Sequence, residues 1–299
     1  MENNSNTNIH ITVCFCILHY KNIEVTIDCV EDILRNNSNP FFNIVIVDNG
    51  SGNGTGELLG EKYKSNKQVF VLKNKVNAGF AKGNNIGYRF AKSKLQADII
   101  VAMNSDILVG NTFSVEDIVT SCNDNDNVEI VAPDIVTRDG LHQNPYRDKP
   151  FPQKQYISSL IKNTILSWAI NLPVAGETFY LKYADKKNKK KNNGNKEKVK
   201  TVIYNFVPHG SCVIFTKQWI SRENNAFLPI TFLYCEEEIL YTYSKDKGYK
   251  IKYDPNLCIQ HLEDASINAS YKNGKEKLTF QLREQSKSIV KYLKYLNQQ

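Results

Sequence analysis

Continuous apolar runs and helical-period stripes alternate along the first third of the chain. Residues 11–18 form an apolar run long enough for a buried strand, and Ile23, Ile27, Val30 and Leu34 then mark one face of a helix. A second strand over 43–47 ends at Asp48, and a polar, glycine-rich connection leads through a further helix to a strand at 68–72. Residues 84–94 read as a helix, and 97–103 as a strand that closes on Asn104, Ser105 and Asp106. Strands apolar throughout and separated by helices predict a parallel sheet covered on both faces, whose ligands bind beyond the carboxyl ends of the strands.

Beyond Asp106 the alternation weakens. The pattern predicts strands at 129–136, 202–207, 211–215 and 250–259. It predicts helices at 156–172, around 236–245, and from 275 onward. The 156–172 helix carries Ser158, Ser159, Lys162 and Asn163, which argues against crossing a bilayer and leaves a core or lid helix, or one lying on a membrane surface. No internal repeat and no linker divides the chain.

Charge adds one feature. The chain has a formal charge of +7, and residues 182–200 hold nine lysines against Asp185 and Glu197, so this run alone accounts for the excess. A nucleic-acid reader would spread its cations over a working surface, so nucleic acid is not an expected partner. The run reads as a solvated flexible loop or as a polybasic contact with anionic lipid. Seven scattered cysteines without metal-like spacing read as reduced, mostly buried thiols. The residues at the start lack a secretory pattern, so a cytoplasmic location is expected.

Several polar clusters sit where this architecture places ligands. Asp48, Asn49 and Gly50 end a strand and suit a nucleobase or ribose hydroxyl, although an aspartate there also caps a turn. Asn77, Gly79 and Asn84 lie in a Gly/Asn-rich stretch that would let backbone approach a ligand or would merely cap a helix. Asp106 ends an apolar strand and could hold a divalent cation against a diphosphate. Glu236, Glu237 and Glu238 open a helix: the dipole explains acids there, and so does a general base, with one or two facing a site and another facing solvent. His261, at a strand end, is either structural or a metal ligand that tilts preference toward Mn2+. Gly52, Gly54 and Gly56 do not match GxGxxG spacing, and no GxxxxGK run exists, so dinucleotide and P-loop readings are set aside.

Taken in order, VDNGS, NAGFAKGNN, MNSD, HGSCVIF, FLYCEEEIL and a closing H-x-x-x-A-S resemble the inverting family 2 glycosyltransferases, with the rhamnosyltransferase-like branch nearest. The resemblance implies a GT-A fold, an α/β domain over 1–299. Its nucleotide-sugar half would span about 11–110, its acceptor half about 111–266 with the 182–200 insert, and a helical segment 267–299. It implies that Tyr20 and Asp48 contact the nucleoside, and that Asn77, Gly79 and Asn84 lie near the donor. Asp106 matches the metal-binding residue of a DxD-like motif that often reads Asn-Ser-Asp in this branch, as Asn104-Ser105-Asp106 does here. His261 would join the Mn2+ or Mg2+ or the diphosphate. Glu237 stands where the family's base is usually aspartate, which leaves Glu236 and Glu237 as candidates with Glu237 preferred. The acceptor would be a glycan or lipid-linked glycan of a bacterial surface polysaccharide (capsule or O-antigen), with peripheral membrane association as an expectation. A sugar-nucleotide pyrophosphorylase would want a glycine-rich basic loop where residues 17–22 offer no glycine, and a non-catalytic nucleotide-sugar-binding module is favoured only by the unusual triple glutamate.

Overall fold

Residues 13–19 read as a strand because every one is apolar or a strand-end histidine, and both of their faces are covered. Val13, Phe15 and Ile17 join one core cluster while Cys14 and Cys16 join the other, so the period-two alternation divides β1 (Val13–His19) between two helical layers. The computed structural model describes residues 11–122, 127–173, 175–191, 197–263 and 273–299.

From β1 the chain continues through α1 (Ile23–Asn36), β2 (Phe42–Asp48), α2 (Thr55–Lys62), β3 (Val69–Lys73), α3 (Phe80–Ser93) and β4 (Ile99–Asn104). Then follow the short β5 (Ile107–Leu108), α4 (Val115–Cys122), β6 (Ile130–Thr137) and two helices, α5 (Gln153–Ile170) and α6 (Gly176–Lys191). The remaining elements are β7 (Ile203–Tyr204), β8 (Cys212–Phe215), α7 (Lys217–Arg222), α8 (Glu236–Lys247), β9 (Ile251–His261) and α9 (Gly274–Leu296). One nine-stranded sheet runs β3-β2-β1-β4-β8-β6-β9-β5, with β7 also paired to β9. Strands α-helically connected in the first third pair in parallel, β1 with both β2 and β4 and β2 with β3. Helices α1 and α4 cover one face and α3, α7 and α8 the other. All seven cysteines are free thiols, and six of them are buried.

The parallel pairing read for the first third holds there, and the rest of the sheet is mixed. β8 lies antiparallel between β4 and β6, and β5 and β7 oppose β9, while β6 and β9 run parallel. An apolar run reads the same in either direction, so hydropathy carries no sign of strand polarity. Helix α3 begins four residues earlier than its pattern suggested, because Gly79, at φ +81°, turns the chain into it. The 202–207 strand contracts to β7, and α7 joins the elements without a sequence signal. The lysine run is not a loop throughout: α6 continues to Lys191, as lysine's good helix propensity allows.

One polar clamp ties the halves together. Asn85, buried inside α3, donates from Nδ2 to the Phe227 carbonyl at 2.7 Å and accepts from the Phe227 N–H at 3.0 Å. The Phe80 N–H donates to the Phe232 carbonyl at 2.7 Å, so the segment leading to α8 is fixed against α3. Replacing Asn85 with alanine strands two buried backbone groups and should cost about 2–4 kcal/mol. Urea unfolding is expected to show a lower midpoint for N85A, and an unchanged midpoint would contradict the clamp.

Candidate active site

The carboxyl end of β4 and the end of β9 meet because β5 pairs with β9. His261 lies opposite Ile107 in that ladder, and the Leu262 N–H donates to the Asp106 carbonyl at 2.8 Å. The pairing brings His261 Nε2 to 3.4 Å from Asp106 Oδ1, with both residues buried. On its other side the His261 ring is held by Gln143, whose Oε1 lies 2.8 Å from Nδ1, and Gln143 Nε2 donates to Glu263 at 3.0 Å. Residues 264–266, which complete the H-x-x-x-A-S pattern, lie outside the described residues.

Asp106 and His261 border a cleft of about 590 Å³. Asn104 lines it beside them, its N–H donating to the Ser211 carbonyl at 2.8 Å, and the lining continues through Gly210 to the first turn of α8 with Glu236, Glu237 and Glu238. Tyr146, Arg147 and Phe151 form a further wall, and the inner face of α5 closes it.

None of the three glutamates is exposed, contrary to the expectation that one faces solvent. Glu236 is buried and accepts a hydrogen bond from Thr231 Oγ1 at 2.9 Å, while Glu238 is ion-paired with Arg147 Nη1 at 2.7 Å. The Arg147 guanidinium is itself stacked between Tyr146 and Phe151, at 4.2 and 4.3 Å from their ring centres. Glu237 is half-buried and turns toward Gly210, so closely that a Cβ there would meet Glu237 Oε1 at 2.8 Å. Burial, reinforced by the Glu238 charge, raises the Glu237 carboxyl to about 7, while the Gly210 N–H and Arg147 pull the other way. Burial and then the Glu237 charge hold Glu236 well above the usual carboxylate range. Of the pair, Glu237 has the environment of a general base near neutral pH, whereas Glu236 is anchored by Thr231.

The other predicted residues gather at the carboxyl ends of β1 and β2 and the start of α3. Asp48 Oδ1 accepts from the Ser51 N–H at 3.0 Å, and Ser51 Oγ accepts from the Lys21 N–H at 2.8 Å, which fixes the turn beside Tyr20. Asn49 is a brace: its Nδ2 donates to Asn77 Oδ1 and the Gly79 carbonyl, and its Oδ1 accepts from the Ala78 N–H. Asn77 Oδ1 also receives the Gly79 N–H at 2.9 Å. Asn84 is buried within α3 and donates to the Phe80 carbonyl, and Ser105 is buried behind Asp106. Neither Tyr20 nor Asp48 borders the cleft of Asp106 and Glu237, so the sequence candidates form two neighbouring clusters.

Residues without an assigned role in the sequence also belong to this cleft. His209 stands with its ring 5.6 Å from that of His261 and its Nδ1 2.9 Å from Ser211 Oγ. It lies in the HGSCVIF segment, and that match was its signal. Arg147 had none, because its partner Glu238 is 91 residues away.

The donor set fits a divalent cation. Neighbouring ligands in an octahedral shell sit about 3 Å apart, and the 3.4 Å gap between Asp106 and His261 exceeds a usual charge-assisted hydrogen bond. Among the described residues no three His, Cys, Asp or Glu side chains converge as a metal-holding group. A cation held by this pair would therefore draw further ligands from solvent or substrate oxygens, as Mg2+ and Mn2+ sites that grip phosphates do.

A doubly covered sheet with acidic residues gathered around one cleft beyond its strand ends is the layout of a nucleotide-sugar transferase of the GT-A fold. The comparisons agree on that class. The family model described as glycosyl transferase family 2 matches residues 14–188, more than half of the chain, and the chain belongs to that family. The low-salt glycan biosynthesis hexosyltransferase Agl10 of Haloferax volcanii is 26% identical over 116 residues, 39% of this chain. The match covers 34% of that relative, so the chain spans about a third of its length. Among solved structures, the mannosyltransferase PcManGT of Pyrobaculum calidifontis, in complex with GDP-Man and Mn2+, superposes with a TM-score of 0.52 at 13% identity, covering 93% of this chain and 70% of that one. GalNAc-T7 with UDP, GalNAc and Mn2+ gives 0.56 at 13% identity, covering 87% and 46%. At these identities the likeness establishes the fold.

The raised Glu237 value has a sign for stability. A carboxyl that titrates near 4.5 when unfolded and near 7 when folded keeps its proton longer in the native state. Its contribution therefore falls as pH rises from about 4.5 to about 7 and stays low above that. Glu237→Gln removes this loss. Melting temperatures are expected to favour the variant at pH 8 and to converge toward pH 5; a pH-independent difference would contradict the assignment.

Proposed function

We propose that this protein is an inverting glycosyltransferase that moves a sugar from a nucleoside diphosphate donor onto a hydroxyl of a glycan or lipid-linked glycan. The observation that carries the reading is the gathering of Asp106, His261 and Glu237 around one cleft. The fold of PcManGT and GalNAc-T7, each solved with a nucleotide or nucleotide sugar and Mn2+, supports a sugar-nucleotide donor and a divalent metal. The Agl10 match supports a hexosyltransferase that works in glycan assembly.

In this reading Tyr20 and Asp48 receive the nucleoside, with Asn49, Asn77, Gly79 and Asn84 shaping the loop beside it and Asn104 and Ser105 carrying Asp106 to the diphosphate. Asp106 and His261 would hold Mn2+ or Mg2+, which would supply charge neutralisation for the departing diphosphate. Glu237 removes the acceptor hydroxyl proton, and its value near 7 matches the working pH of a general base. The Gly210 N–H aims that carboxylate, and Arg147 holds the neighbouring Glu238 in an ion pair. A rhamnosyl or hexosyl donor, a bacterial capsule or O-antigen product, and a site of action at the cytoplasmic face of the membrane complete the proposal.

The test is release of nucleoside diphosphate from a panel of nucleotide sugars with Mn2+ or Mg2+. One donor should respond, with Asp106→Ala abolishing metal-stimulated release and Glu237→Gln lowering kcat by about 10²–10⁴-fold while leaving donor affinity intact. Full activity in both variants would sink the reading. The rate should rise with pH through about 7 as Glu237 loses its proton. Removing the guanidinium in Arg147→Met should move that rise to higher pH, and a shift in the opposite direction would contradict the role given to Arg147.

A further inference from the structure

Helix α5 has two apolar faces, and only one has a partner. Tyr156, Leu160, Leu166 and Ile170 pack against α9 through Leu278, Leu282, Ile289 and Tyr292. Ile157, Ile161, Ile165 and Trp168 follow at intervals of four, four and three residues, which places them on one stripe of the opposite side. They are 47%, 56%, 59% and 67% exposed, a contiguous apolar surface of the kind that soluble chains rarely leave bare. Phe179 of α6, 44% exposed, extends it across the groove between the two helices.

The charge around this stripe is predominantly basic. α5 contains no acidic residue, and Lys154 and Lys162 stand exposed on it. Lys182 is exposed on α6, whose sequence goes on to five more lysines through Lys191, against the two acids Glu177 and Asp185 in the helix. An apolar stripe with an exposed tryptophan and a rim of lysines is suited to the boundary between anionic headgroups and acyl chains. A protein partner would need acids to meet these lysines, and a second copy of the same face would set lysines against lysines. No described helix is long and apolar enough to cross the membrane, so contact would be made from the surface.

The geometry points to the α5–α6 face as a docking surface for an anionic lipid bilayer. The opposite side of α5 lines the catalytic cleft through Gln155, Ser159 and Lys162. Docking therefore sets the cleft one helix diameter from the headgroups, where a lipid-linked acceptor presents its sugar. This deepens the glycosyltransferase proposal and rests on it for the identity of the acceptor, while the surface itself is tested without turnover.

The chain has two tryptophans, and Trp219 is fully buried, so a spectral response to lipid reports Trp168. The full chain is mixed with phosphatidylglycerol/phosphatidylcholine vesicles or with phosphatidylcholine vesicles alone. A blue shift confined to the anionic vesicles and weakened by salt is expected, with partitioning at least about tenfold weaker in Ile161→Ser/Ile165→Ser. That double variant, altered only at exposed positions, should keep the wild-type melting temperature. No shift with anionic vesicles, or an equal shift with neutral ones, would overturn the proposal. So would a lipid-free shift that grows with protein concentration alongside a dimer mass by light scattering, which would assign the face to a second copy. Vesicle binding with no donor turnover would leave this surface standing and count against the enzymatic reading alone.

Discussion

Negative charge gathered in one partly buried cleft is the constraint from which the rest of the architecture follows. Asp106, Glu236, Glu237 and Glu238 all border it, and burial disfavours the ionised form of Glu236 and Glu237. Three of them have a local answer: Glu238 has Arg147, Glu236 has Thr231, and Glu237 rises to about 7 and shares its proton with solvent near neutrality. Asp106 faces an imidazole across 3.4 Å, a pairing that suits an incoming cation and the diphosphate it would accompany. A cleft that suits added positive charge at Asp106 and encloses, at Glu237, a carboxyl raised to about 7 is compatible with group transfer between an anionic leaving group and a hydroxyl.

Holding these groups in register requires long-range backbone pairing and local strain. The β5–β9 ladder fixes Asp106 beside His261, and β8, antiparallel between β4 and β6, carries the His209–Ser211 segment to the same end. Opposite them, Tyr234 and Cys235 both adopt positive φ, 73° and 67°, immediately before α8. Such conformations cost about 1–3 kcal/mol each. Here they turn the chain so that the first residues of α8 enter the cleft, while the Asn85 and Phe80 contacts to residues 227 and 232 hold that turn against α3.

The α/β alternation of the first third was legible because both faces of each strand are covered, which leaves uninterrupted apolar runs. The same logic located Asp48, Asp106 and His261, since polar residues at the ends of such runs stand out. Strand polarity was hidden, so β8 and the short β5 that joins Asp106 to His261 could not be foreseen. The pairing of Arg147 with Glu238 and the bracing role of Asn49 depend on contacts across the fold that spacing does not encode. The run of lysines reads as a loop or a lipid contact because charge alone does not show that its first half is helical, and the bare stripe on α5 depends on which face α9 covers.

The account's central claim is a single displacement in which one carboxylate acts as base and no residue becomes glycosylated. The most direct measurement is the anomeric configuration of the glycoside formed from an α-linked nucleotide sugar, read from the proton NMR coupling at the anomeric carbon. A β-linked product is predicted, because attack and departure occupy opposite faces of the sugar. An α-linked product would require a second displacement or a front-face route, and would contradict the role assigned to Glu237.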